Sequence, residues 1–86
     1  MRALIKFARS ARRHKIGKAH ALHVIRANPP VVVPAVPPKI DEQWLWIGTD
    51  DRGVEIEVIA VWMPDNQLIV IHAMATALRS TQGSTP

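Results

Sequence analysis

Val54-Glu55-Ile56-Glu57-Val58-Ile59-Ala60-Val61-Trp62 runs through Met63-Pro64-Asp65-Asn66 into Gln67-Leu68-Ile69-Val70-Ile71-His72-Ala73-Met74. The first run alternates. Val54, Ile56, Val58, Ala60 and Trp62 share one face and Glu55 and Glu57 the other, the period of two of a half-buried strand. The second run is apolar and β-branched, and Pro64-Asp65-Asn66 between them is turn composition. Two such runs, so closely joined, satisfy their backbone donors and acceptors most directly on each other. The expectation is an antiparallel hairpin at the centre of a sheet, with Glu55 and Glu57 on a solvated face.

Working back along the chain, Gln43 to Gly48 reads as a strand with Trp44 and Trp46 on one face and Leu45 and Ile47 on the other. Thr49-Asp50-Asp51-Arg52-Gly53 is a turn in which Gly53 supplies a positive φ. Val31 to Val36 is β-branched but carries Pro34, which suits an edge strand or the approach to one. Pro37 to Glu42 is a loop. Lys18 to Ala27 has helical spacing through Ala19, Leu22 and Ile25, and Asn28-Pro29-Pro30 stops it. Ala8 to Lys15 also favours helix, with Gly17 as punctuation, while Arg2 to Phe7 fits either a short strand or the first turns of a helix. Met74 to Arg79 fits a short terminal helix. The predicted fold is α+β: two short N-terminal helices packed on a twisted antiparallel sheet of three to four strands. A single domain spans 1–79, followed by a disordered polar tail, 80–86.

Charge is sorted along the chain. Arg2, Lys6, Arg9, Arg12, Arg13, Lys15, Lys18, Arg26 and Lys39 precede every acid, and all seven acids fall between Asp41 and Asp65. A formal net charge of +4 therefore understates the field at one end, which favours a polyanionic partner such as nucleic acid. The chain has no cysteine. That excludes disulfides, a thiolate nucleophile and cysteine-ligated zinc, and it fits a cytoplasmic protein. No apolar run approaches the ~20 residues that cross a bilayer, so no membrane partner is expected.

Cleaving RNA through its 2′-hydroxyl needs a base for the 2′ proton, cations for the crowded phosphorane and an acid for the leaving 5′ oxygen. Histidine suits both proton roles near neutral pH, and arginine suits the phosphate. His14 lies among Arg12, Arg13 and Lys15, and His72 lies on the last strand. His20 and His23, three apart, share a helix face but have no carboxylate or cysteine at ligand spacing, so no metal is expected. Trp62 belongs with the core. Trp44 and Trp46 share a face, which leaves either their pair or Leu45 and Ile47 looking outward.

Two segments, Arg9-Ser10-Ala11-Arg12-Arg13-His14-Lys15-Ile16-Gly17 and Trp46 to Val58 with Leu68-Ile69-Val70-Ile71-His72-Ala73-Met74, give the chain a family likeness. Over roughly residues 4–79 it resembles the small BrnT-like toxins of bacterial toxin–antitoxin modules, which are similar to RelE-type ribonucleases. The resemblance implies a helix pair on a twisted sheet, RNA as substrate and an antitoxin protein as partner. It also implies a homodimer or a toxin–antitoxin hetero-oligomer, and no cofactor. His14, His72 and Arg79 would be catalytic, with Arg9, Arg12, Arg13, Lys15 and Lys18 binding RNA. The alternatives are a non-catalytic nucleic-acid-binding module and a protein-interaction domain whose apolar strands pair between chains.

Overall fold

The computed structural model describes residues 4–34 and 42–78. Five strands form one sheet: β1 (Leu4–Phe7), β2 (Val31–Val33), β3 (Gln43–Thr49), β4 (Glu55–Met63) and β5 (Gln67–Ala75). The order across the sheet is β1-β5-β4-β3-β2. The hairpin β4–β5 is present in the expected position, and β3 continues it antiparallel on β4. Among the described residues, a short turn at Arg9–Arg12 and an α-helix, α1 (Lys18–Ala27), are the other named elements. The expected terminal helix over Met74–Arg79 is corrected: β5 runs through Ala75, and residues 76–78 are helical after it.

The expected pair of helices on a three- to four-stranded antiparallel sheet is corrected on three counts. Leu4–Phe7, which by sequence fits either a strand or a helix, is a strand, and it lies parallel to β5 where an antiparallel sheet was expected, with Leu4 opposite Gln67 and Phe7 opposite Val70. The sheet is therefore mixed and five-stranded. Ala8–Lys15 is not an α-helix but a single 3-10 turn. The reason lies in its side chains. Arg9 repels Arg12 and Arg13 at helical spacing, and no acid lies near to compensate. Ser10 spends its hydroxyl on the Ile71 carbonyl at 2.7 Å, and Lys15 takes the left-handed conformation at φ 59, which ends the turn. Among the described residues, α1 alone packs across the sheet as a helix of more than one turn.

α1 crosses one face of the sheet and leads the chain from the β1 edge to the β2 edge. Register puts Gly48, Trp46 and Trp44 of β3, Ile56, Val58 and Ala60 of β4, and Leu68, Val70 and Ala73 of β5 on that face. Ala21 and Val24 of α1 close the core against them. Val24, Ile56, Val58 and Val70 are fully buried, each stabilising the fold by about 1.5–3 kcal/mol. The tryptophans turn toward one another: Trp44 meets Trp62 edge to face at 5.6 Å and lies 6.2 Å from Trp46. Leu45 and Ile47 take the opposite face.

The C-terminal end of α1 approaches the sheet at Gly48. A Cβ there would lie 2.3 Å from the Asn28 amide nitrogen, which donates to the Val24 carbonyl at 2.9 Å. The helix is thus ended by a side chain that only a glycine leaves room for. No helix among the described residues is long and apolar enough to cross a membrane.

Candidate active site

One residue too many in β5 creates the site. Counting back from the turn, Met63 pairs with Gln67, Trp62 with Leu68 and Ala60 with Val70, but Ile59 then pairs with His72. Ile71 is the extra residue of a β-bulge. An unbroken ladder would have put His72 opposite Val58, on the face packed under α1. The bulge turns it to the other face, where Glu57 points. His72 Nε2 lies 2.8 Å from Glu57 Oε2.

Glu57 is 1 % exposed, which corrects its expected place on a solvated face. Glu55 is exposed, and its carboxylate accepts from the Thr76 hydroxyl at 2.7 Å. Because a carboxylate only accepts, the His72 hydrogen lies on Nε2 when that ring is neutral, and Nδ1 carries the lone pair.

The bulge also fixes the second histidine. β1 ends opposite Val70, and the following segment takes over the sheet edge: the Ala8 amide donates to the Val70 carbonyl at 2.9 Å, and Ser10 caps the Ile71 carbonyl. The 3-10 turn rests there on β5, with Ala11 buried in the core. It delivers His14 onto His72, ring centroids 5.7 Å apart and planes at 74°. His14 is half-buried, and the His72 side chain is 28 % exposed. Arg9, Ser10, Arg12 and Arg13 line an open hollow along the same turn, and the three arginines are exposed. The site thus holds two adjacent imidazoles, one braced by a buried carboxylate, and the turn that leads into His14 carries three exposed arginines.

The remaining expected residues fall differently. Lys15 is exposed immediately after His14. Lys18, in the first turn of α1, lies with its ammonium 5.9 Å from the centre of the Phe7 ring, a cation–π contact that holds it to β1. Arg79 lies outside the described residues. Sequence reasoning missed Ser10 and the brace at Glu57. Both act through the bulge, which leaves no mark in the pattern of apolar residues.

A second polar cluster joins the first turn of α1 to the β3–β4 turn. His20 Nδ1 meets Asp51 Oδ1, so folding supplies the carboxylate that its sequence neighbours lack; His23 is exposed. Ligand atoms of His20, Asp50 and Asp51 lie within 4.8 Å of one another. Asp50 nevertheless spends both oxygens on the β3–β4 turn. One accepts from the Arg52 and Val54 amides and the other from the Arg52 guanidinium, at 2.7–3.1 Å. Burial pushes the Asp50 carboxyl up, but the Arg52 side chain, those two amides and the Arg52 charge outweigh it and hold it at about 2. The hydrogen bond to His20 lowers Asp51 as well. This cluster clamps a turn and ties α1 to it.

Compared with protein-family models, curated proteins and solved structures, the chain matches none.

Proposed function

We propose that this protein is a metal-independent ribonuclease, the toxin of a toxin–antitoxin pair, acting in the cytoplasm and held in check by an antitoxin protein. The observation that carries the reading is the edge-to-face contact of His14 with a His72 braced by Glu57, and the exposed Arg9, Arg12 and Arg13 on the turn that leads into His14 support it. His72 takes the 2′-hydroxyl proton on Nδ1 while Glu57 holds Nε2–H. The 2′ oxygen attacks phosphorus, and the P–O5′ bond breaks. His14, entering the step protonated, gives its proton to the departing 5′ oxygen. The products are a 2′,3′-cyclic phosphate and a 5′-hydroxyl, so atoms and charge balance without a metal. Arg12 and Arg13 hold the phosphate as negative charge gathers on it.

Expression in a bacterial host tests this. The parent chain is expected to arrest growth and to shorten cellular RNA. His14→Ala and His72→Ala should each lose both effects while keeping the parent's circular-dichroism spectrum, because a general acid or base contributes about 10²–10⁴ in rate. A harmless parent, or variants as toxic as the parent, would overturn the proposal and leave a binding module.

A further inference from the structure

The three residues of β2, Val31, Val32 and Val33, are 61, 43 and 44 % exposed. β2 pairs with β3 on one side, and among the described residues no strand pairs with its other side. An uncharged apolar edge with an unused row of backbone donors and acceptors is a template for another strand, and soluble proteins ordinarily blunt such edges with charge. The opposite edge is blunted in this way: β1 carries Lys6, and the turn after it Arg9, Arg12 and Arg13. Nor do the valines stand alone. Through the register, Val31 and Val33 share the face opposite α1 with Leu45 and Ile47, and Ile47 is 45 % exposed.

We propose that β2 is a homodimer interface, in which the β2 strands of two copies pair antiparallel about a two-fold axis at Val32 and join two five-stranded sheets into one. The strand is self-complementary in that arrangement: Val32 opposes Val32, and Val31 opposes Val33, with no charge to bury. The charge layout names a second copy as the occupant. β1 and β2 are four strand spacings apart, roughly 19 Å, so a β2–β2 junction holds the two basic β1 edges nine spacings apart, roughly 43 Å. Repulsion at that distance is screened, since the Debye length is about 8 Å at physiological salt. Contacts made through β1 would instead press two arginine-rich turns together.

The flanks limit the assembly to two chains. Pro30 and Pro34 border the valines and lack the amide that would lengthen the ladder, and the far edge of each sheet is the charged one. Both His14–His72 sites then lie at the outer ends, so the dimer stands apart from the ribonuclease reading.

Sedimentation velocity of the full chain over a dilution series tests the interface. The parent is expected to pass from monomer to dimer as concentration rises, with nothing larger. Val31→Lys combined with Val33→Lys puts four like charges on the junction, and this variant should stay monomeric at every concentration with an unchanged circular-dichroism spectrum. Hydrogen exchange on the parent gives a second reading: amides of Val31–Val33 should become more protected as the dimer forms. A parent that stays monomeric, a lysine variant that still dimerises, species beyond the dimer, or exchange at β2 that ignores concentration would each overturn the proposal.

Discussion

Glu57 occupies the middle of β4 with 1 % of its surface exposed, and a buried carboxylate without partners is costly enough to be rare. His72 supplies a donor at 2.8 Å, and in return its ring is fixed by an oxygen that cannot move. The alternation around Glu57 pointed to a solvated acid. It missed the brace because the ladder counted back from Pro64-Asp65-Asn66 puts His72 on the opposite face. Only the bulge at Ile71 brings the two together. Glu57→Gln keeps the shape and can still accept from Nε2, but removes the charge that supports His72 as it takes up a proton. We expect thermal stability within about 1 kcal/mol of the parent, as for a near-isosteric change, and RNA cleavage slowed roughly 10²-fold, a good part of what an acid–base group contributes. Melting curves and single-turnover rates read the two effects separately; a variant that cleaves at the parent's rate removes Glu57 from the mechanism.

Among the elements, the hairpin was legible because period-two burial and turn residues agreed. Its outer neighbours were less so. Leu4–Phe7, locally compatible with strand or helix, became a strand because β5 offered a row of hydrogen-bonding groups, a tertiary fact that the local sequence does not carry. Ala8–Lys15 lost its helix to like-charge repulsion and to the Ser10 hydrogen bond with a carbonyl 61 positions away. The α1 boundary at Asn28 was readable from Pro29-Pro30, but the close approach to Gly48 was not. Gly48→Ala sets a methyl group against the Asn28 amide. Such overpacking should destabilise the fold by about 1–3 kcal/mol, and denaturant midpoints check it. Replacing Asn28 by alanine in the same chain should recover part of the loss, since the three atoms nearest to the added methyl all belong to that side chain.

Across the whole molecule, the segregation of charge in the sequence survives folding as geometry. The arginines of residues 9–13 gather at the β1 edge, and the acids of residues 50–57 lie on the β3–β4 turn and on β4, a strand inside the sheet order. Sequence alone showed which residues were basic and which two histidines lay beside them or on the last strand. That His14 and His72 touch depends on the sheet order, which places β5 next to β1 and lets the 3-10 turn ride its edge. The proposed function stands on that contact, and the 2′-hydroxyl is the substrate group that its chemistry requires and that DNA lacks. The most direct measurement incubates the purified chain, in the presence of EDTA, with an RNA oligonucleotide and with the same sequence as DNA. The expected result is cleavage of the RNA alone, leaving 2′,3′-cyclic phosphate ends, with no product from the His72→Ala variant. Cleavage of DNA at a comparable rate, loss of RNA cleavage on chelation, or an intact RNA would contradict the account.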